Sequence, residues 1–591
     1  MKKFLLQILS SIIGTSIVFL IAPIIIGIIV LAVYSSSITS DRITTISENT
    51  VLKISLDNKV VVDNVQKNAV DYLISEMISD SDRKVIGLDD IVSSIEKAKT
   101  DSHIVGIELR SGNPKAGFTQ LKSIRDKLKE FKQGGKFIFS YSEQYTNKGY
   151  YLSSVSDKVF LNPLGMLDWR GLYTHILFFK RLQNNIGIHM NVFRQGKFKG
   201  AAEPFLNEKL SEENKLQIQR MLDLLWKDVL VEVSESRNIS VDKLDDIAEE
   251  VKVKFPSEAE AEMFIDQIAY EDEFIDKIKN EVGTSVEVKK VSLEDYVYVN
   301  RDYYSVKKDK IAILYAQGNI HFKEGSEKYE IGHLSFIKAI RDIADDDNIK
   351  AVVLRVNSTG GSPLASELIW RELMLLKRKK PLYVSMGDFA ASGGYYISTA
   401  ADKIIASSST ITGSIGVFAV IPNAENFFGL VGITTDSVVT NKNSFVFNIS
   451  RGATKNHKKE IEQQLDNIYD TFIDRVSKGR GINKKAVDEI AQGRIWVGKD
   501  ALEKKLVDAL GNLDDAVKMI ATASNLDNYS LVNYPKVDPK DFFSSFLHSV
   551  KTMAKFNVLS PELKQYLDIE KKMKDNKIDI KAQLPFEIEI K

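Results

Sequence analysis

The chain has 591 residues, 44% hydrophobic and 27% charged, an ordinary globular mixture that excludes collagen-like, low-complexity and wholly disordered proteins. Lys plus Arg and Asp plus Glu each total 80, so the net charge is zero and no basic excess marks a nucleic-acid binder. There is no cysteine, which removes disulfide scaffolds, Cys-based zinc sites and thiol nucleophiles together.

The N-terminus comes first. Residues Phe4 to Ser40 carry no charge, and Ile12 to Tyr34 is a nearly unbroken apolar run. Rising about 1.5 Å per residue, it is long enough for a bilayer core of about 30 Å. It is longer than a signal-peptide apolar region of about 7–15 residues. Its exit, Val33-Tyr34-Ser35-Ser36-Ser37, is a poor small-x-small cleavage site. Lys2 and Lys3 precede it, which predicts a cytoplasmic N-terminus and a body on the other side of the membrane. Residues 1–45 are therefore expected to be a single-pass anchor, with its helix at about 12–34.

Beyond the anchor the chain repeats itself. Gly149-Tyr150-Tyr151-Leu152 and Asp157-Lys158-Val159 recur 245 positions later as Gly394-Tyr395-Tyr396-Ile397 and Asp402-Lys403-Ile404. The same offset carries Leu109-Arg110 onto Leu354-Arg355 and Ile186-Gly187-Ile188 onto Val431-Gly432-Ile433. At an offset of 243, Leu222-Asp223 falls on Leu465-Asp466. Two copies of one fold are expected, at 46–307 and 308–535, followed by a tail at 536–591.

Each copy alternates strand and helix. In the second, Lys310–Tyr315, Ala351–Val356, Leu382–Ser385 and Ile404–Ser407 are short runs rich in β-branched residues. Ser362 to Lys377 has helical spacing at Leu364, Leu368, Leu373 and Leu376, with Ser362 as its N-cap. Thr454 to Lys478 reads as a longer helix repeating Ser211 to Ser236. Such alternation predicts an α/β class with parallel strands. The tail mixes a charge run (Glu570–Lys574) with alternation at Phe586–Ile590 and finds no place in this scheme.

Two loops of the second copy carry candidate chemistry. Arg355-Val356-Asn357-Ser358-Thr359-Gly360-Gly361-Ser362 lies between a strand and a helix, and its paired glycines could present bare N–H groups to an oxyanion. Gly387-Asp388-Phe389-Ala390-Ala391-Ser392-Gly393-Gly394 leaves a strand and enters a helix. It sets Ser392 where the helix dipole favours negative charge. Alone, Ser-Gly-Gly is more often a plain turn. The repeat discriminates: the first copy has Asn147 and Lys148 where the second has Ser392 and Gly393, and Lys115-Ala116 where it has Gly360-Gly361. It keeps the neighbours and lacks the chemistry.

A serine needs a base. No histidine lies in either loop, so a triad would have to recruit His321, His333, His457, His175 or His189 through the fold. The other base is a neutral lysine, and Gln195-Gly196-Lys197-Phe198-Lys199-Gly200-Ala201-Ala202-Glu203-Pro204-Phe205 of the first copy offers two. Lys197 repeats as Lys442, whereas Lys199 repeats as Ser444. The first copy thus holds Lys199 without the serine, and the second holds Ser392 without that lysine. Burial by Phe198 and Phe205 would favour the neutral amine, and Glu203 would have to point away.

These motifs, with Thr412-Gly413-Ser414-Ile415-Gly416-Val417, make the chain resemble the signal peptide peptidase A (protease IV) family in its long tandem form. The resemblance runs from the anchor to about residue 535, and Thr359 departs from it where proline is usual. It implies a tandem crotonase-like (Clp-protease-like) fold and a Ser-Lys dyad split across the copies. Ser392 would be the nucleophile, Lys199 the base and Ser414 the hydroxyl that orients it, with Gly361 and Gly393 forming the oxyanion hole. It implies no cofactor and no metal. It further implies peptide substrates, released signal peptides among them, and a homotetramer on the extracytoplasmic side of the bacterial inner membrane, anchored in lipid by the N-terminal helix. Two rival functions remain: a crotonase-type acyl-CoA enzyme and a non-catalytic membrane-tethered scaffold.

Overall fold

Parallel strands buried on both faces read as unbroken apolar runs, and the second copy is built on such runs. The computed structural model describes residues 46–65, 85–283, 287–299, 307–323, 329–441, 444, 448–536 and 579–583. The expected anchor, Lys442, the Glu570–Lys574 run and Phe586–Ile590 lie outside these residues. Among the described residues no helix is long and apolar enough to cross a membrane.

In the first copy, β1 (Thr50–Ser55), β2 (Ile104–Arg110), β3 (Phe137–Tyr145) and β4 (Lys158–Leu167) pair in parallel in that order. Gln267–Ile268 and Lys290–Ser292 extend the two edges, giving six strands. In the second copy, β6 (Lys310–Gln317), β7 (Ile349–Ser358) and β8 (Leu382–Ala391) form the corresponding parallel core. Ser530–Tyr534 lines its far edge in parallel. β8 changes partner along its length: Tyr383–Ser385 pair with Lys403–Ile405, and Phe389–Ala391 pair with β9 (Ile411–Gly413). That change lets the end of β8 run free of its first neighbour and carry the following loop to one rim.

Helices close both faces. Ser362 caps α3 (Pro363–Lys377) by accepting a hydrogen bond from the Ala365 N–H, as its spacing predicts. Losing that cap would cost about 1 kcal/mol. Ile369, Leu373 and Leu376 turn inward against Val352, Leu354 and Val384. The repeat recurs in three dimensions: α2 (Glu212–Arg237) starts at Ser211, and α5 (Lys455–Arg480) starts at Thr454, each capped by its hydroxyl. Likewise the short helix α1 (Asn147–Ser153) matches α4 (Gly393–Ser398).

The copies are tied by more than the linker. β5 (His189–Gln195) leaves the first copy and pairs antiparallel with β10 (Val417–Asn423) of the second over seven positions, Gln195 facing Val417. Gln217 of α2 accepts from the Ile495 N–H at 3.1 Å, and its amide donates to the Phe198 carbonyl at 3.1 Å. Arg355 and Asp63, both about 2% exposed, form an ion pair of 3.2 Å between the copies.

Candidate active site

Ser392 stands between the end of β8 and the first turn of α4, as its sequence context predicts. Its backbone is held at φ 55° and ψ −113°, a left-handed setting that a residue with a Cβ adopts only under constraint. The Ser392 N–H donates to the Gly413 carbonyl at 2.8 Å, and the Tyr396 N–H donates to the Ser392 carbonyl at 2.8 Å. The side chain is fully buried.

Lys199 reaches this point on the arm that follows β5. Once β5 has zipped onto β10, the chain turns at Gly196 and delivers Lys199 to the rim of the second copy. Its Nζ lies 2.9 Å from Ser392 Oγ, 2.9 Å from Ser414 Oγ and 3.0 Å from the Ser414 carbonyl oxygen. Lys199 has no exposed surface, and burial pushes its pKa well below the usual lysine range. Glu203 is turned away, as expected. Its carboxylate accepts from Ser211 N and Oγ and from Asn214 Nδ2, and pairs with Arg194 at 3.5 Å.

Phe198 and Phe205 have further contacts of their own. Phe198 lies under the Arg494 guanidinium at 5.0 Å, and Phe205 stacks on Phe179 at 5.9 Å. The backbone at Gly493 packs directly on Lys199: a Cβ there would come within 2.7 Å of the Lys199 N and Cβ. Gly493, with φ +77°, is a position the sequence did not single out; only the approach of the arm gives it meaning.

Ser414 is also held in the left-handed region, at φ 49°. Its N–H donates to the Arg494 carbonyl at 2.7 Å, which aims both its oxygens at Lys199. Gly361 and Gly393 meet on the other side of Ser392. A Cβ on Gly393 would sit 3.1 Å from the Gly361 nitrogen, and one on Gly361 would strike the Ile320 carbonyl oxygen at 2.0 Å. Both positions therefore need glycine for close backbone approach. The Gly360 N–H donates to Ser358 Oγ at 3.1 Å, and Thr359 donates to Asn319 at 2.8 Å.

The other residues weighed in the sequence sit apart. Lys197 is exposed, with its ammonium over the Phe198 ring. Ser444, the counterpart of Lys199, donates to the Asn441 carbonyl in an exposed loop. Asn147, the counterpart of Ser392, donates to the Gly171 carbonyl at 2.9 Å. Four histidines are placed elsewhere: His175 against Tyr173, His321 against Glu330, His333 against Phe322, and His189 at the start of β5. His457 serves the N-terminal turn of α5.

Asp63 and Asp388 went unnoticed in the sequence. Asp388, four residues before Ser392, accepts from the Thr119 N–H of the first copy at 2.9 Å. Its carboxyl fills the space where Gly117 lacks a side chain. Burial, reinforced by the neighbouring Asp63 charge, raises the Asp388 pKa to about 6. A lone acid, at the end of a strand like Asp388 or in a bend like Asp63, carries no periodic signal, so nothing in the sequence marks this joint.

Comparison with known proteins identifies the family. The family model for peptidase family S49 matches twice, at 130–285 and 374–527. The chain is 34% identical to Protease 4 of Haemophilus influenzae over 508 residues, 83% of this chain and 81% of that one. It is 30% identical to the chloroplastic serine protease SPPA of Arabidopsis thaliana over 466 residues, 77% and 68% of the two chains. A putative signal peptide peptidase SppA of Enterococcus faecium is 34% identical over 219 residues, 37% of this chain and 63% of its own length. The chain accordingly belongs to peptidase family S49 and is an α/β serine peptidase with two S49 domains.

Proposed function

We propose that the peptidase works through a Ser392–Lys199 dyad assembled from both copies, each a crotonase-like unit, and that it degrades released signal peptides and other short apolar peptides. The observation that carries this reading is the 2.9 Å approach of a fully buried lysine to a serine on a strained turn. A neutral amine has two N–H groups and one lone pair. The Ser414 carbonyl can only accept, so it takes one N–H, and Ser414 Oγ takes the other. The lone pair is left facing the Ser392 hydroxyl, the geometry a general base requires.

The steps follow. Lys199 takes the Ser392 proton as Oγ adds to the scissile carbonyl carbon. The Gly361 and Gly393 N–H groups stabilise the oxyanion. The Lys199 ammonium then protonates the leaving amine, which gives an acyl-enzyme. Water, deprotonated by Lys199, releases the acyl group and restores the serine. Burial without a carboxylate partner favours the neutral lysine at the start of each half-cycle.

The name of the Enterococcus relative and the apolar run at 12–34 support a signal-peptide substrate and a membrane anchor. Lys2 and Lys3 support a body outside the cytoplasm, and the family resemblance implies a homotetramer at the inner membrane. A fluorophosphonate probe on detergent-solubilised protein tests the chemistry. Labelling at Ser392, lost in Lys199→Ala, supports the dyad; an unlabelled protein would favour the scaffold or acyl-CoA alternatives. Protease added to spheroplasts should digest the body, and protection until the inner membrane is opened would reverse the orientation.

A further inference from the structure

The segment Gln492–Trp496 touches both the Ser414 loop and the arm that carries Lys199. Its strand, Ile495–Val497, pairs antiparallel with β9, Ile495 facing Gly413 and Trp496 facing Thr412. In this register the Ser414 N–H donates to the Arg494 carbonyl at 2.7 Å, and the Gly493 N–H donates to the Ile415 carbonyl at 2.8 Å. The same segment receives the arm from the first copy. The Phe198 N–H donates to the Gln492 carbonyl at 2.9 Å, and the Gln217 side chain bridges the Phe198 carbonyl and the Ile495 N–H.

Arg494 reaches in both directions. Its main chain holds Ser414, and its side chain lies on Phe198, the residue next to Lys199. The guanidinium carbon is 5.0 Å from the centre of the Phe198 ring and 4.3 Å from that of Trp496, within the range of cation–π attraction. Among the described residues it forms no ion pair: Asp500, whose charge favours its cationic form, is taken by Arg220 at 3.1 Å. Its Nε is buried and makes no hydrogen bond. The two rings are thus its principal hold. The exposed Lys197 ammonium also rests on Phe198, at 5.2 Å, but among the described residues nothing links it to Ser414. The choice of rings matters for the chemistry. An ion pair would grip the arm too, but its carboxylate would favour the ammonium form of Lys199. Aromatic faces hold the guanidinium without bringing a full negative charge to the base.

We propose that Arg494 is a positioning residue of the peptidase: its guanidinium ties Phe198 to Trp496, holds the arm of the first copy against the Ser414 loop, and so sets the distance at which Lys199 Nζ meets Ser392 Oγ. This rests on the dyad reading above. The margin is narrow. Nζ lies 2.9 Å from Ser392 Oγ, and a displacement of the arm by about 1 Å takes it out of hydrogen-bonding reach. A misplacement of that size can cost about a hundredfold in rate. A loosened arm also lets water reach Lys199, whose neutral form depends on its burial.

The test uses the full-length protein. Arg494→Met removes the charge, keeps an unbranched side chain, and leaves the main-chain carbonyl on Ser414. Its kcat on a quenched peptide should fall about tenfold or more, with KM nearly unchanged. The pH limb of kcat/KM should move up toward the ordinary lysine range as Lys199 becomes hydrated. Arg494→Lys keeps a cation over the rings and should recover part of both. Phe198→Leu should repeat the loss, and the double variant with Arg494→Met should be no worse than the worse single variant. Unchanged kcat and pH limb in Arg494→Met, or losses that add in the double variant, overturn the proposal. So does a fall in kcat that tracks the melting temperature while the limb stays in place. Hydrogen–deuterium exchange over residues 196–202 in the Ser392→Ala background reads the arm without any chemistry, and Arg494→Met should accelerate it. Full activity in Lys199→Ala would sink the dyad, whereas unchanged exchange in Arg494→Met would sink the clamp.

Discussion

Lys199 Nζ and Ser392 Oγ lie 2.9 Å apart although 193 positions separate them in the chain. Neither copy of the repeat contains both groups, and the β5–β10 ladder is what joins them. This contact is thus a property of the junction between the copies.

The junction sets the expected pattern of loss. Ser392→Ala and Lys199→Ala should each abolish peptidase activity, and the double variant should be no worse, because the two act as a unit. Lys197→Ala should leave kcat/KM within about twofold, since that side chain is exposed and points to Phe198. Ser414→Ala removes one of the two acceptors that orient Lys199, so kcat should fall with KM nearly unchanged. An active Lys199→Ala alongside a dead Lys197→Ala would reverse the assignment.

The pH profile follows from the burial of Lys199. In the proposed mechanism its neutral form is the base, and burial lowers its pKa. The value of kcat/KM should therefore rise with pH through a limb well below the ordinary lysine value of about 10.4. The sign is fixed: a lowered lysine pKa means that activity is lost as pH falls through it. Steady-state rates from pH 5 to 10 check this. A flat profile, or a rise only near 10.4, would mean that Lys199 does not work as a desolvated base.

The backbone of Ser392 supplies a stability test. At φ 55° and ψ −113° a Cβ is strained, whereas glycine is at ease. Ser392→Gly and Ser392→Ala lose the same hydroxyl, so their difference isolates the backbone. We expect the Gly variant to be more stable by about 1 kcal/mol, after allowing for the greater freedom of glycine in the unfolded chain. Paired thermal melts decide it, and an Ala variant equal to or above Gly would show the turn to be unstrained.

Much of this architecture was legible in the sequence, for local reasons. The repeat announced itself at Gly149-Tyr150-Tyr151 and Gly394-Tyr395-Tyr396, and the caps Ser211, Ser362 and Thr454 sit where the helices begin. Ser392 and Lys199 stood out because one copy lacks what the other holds, whereas Ser414 was named only through the family resemblance. What escaped notice was non-local. Periodicity can propose a strand at His189–Gln195 but names no partner, so the crossing to β10 could not be read. Nor does Asp579–Gln583 carry a pattern that sends it antiparallel against Gly360–Gly361. Asp63 and Asp388 are lone acids whose roles arise only when the copies meet.

Asp63 makes the final prediction, because its partner begins the glycine loop. Arg355 donates to Asp63 from one copy to the other, and also to Ser385 Oγ at 3.0 Å and the Met386 carbonyl at 2.9 Å. Both charges are about 2% exposed. Removing one leaves the other buried and uncompensated, so Asp63→Ala should cost about 3–5 kcal/mol. Replacing both, as Asp63→Leu with Arg355→Met, should recover most of that loss, since well-packed apolar side chains can substitute for a buried pair. Urea unfolding of the two single variants and the double variant completes the cycle. Activity should follow stability here, because Lys199 reaches Ser392 only while the copies stay docked. If Asp63→Ala unfolded at the same urea concentration as the unaltered chain, the pair would not hold the copies together, and that task would fall to the β5–β10 ladder with the Gln217–Ile495 and Asp388–Thr119 contacts.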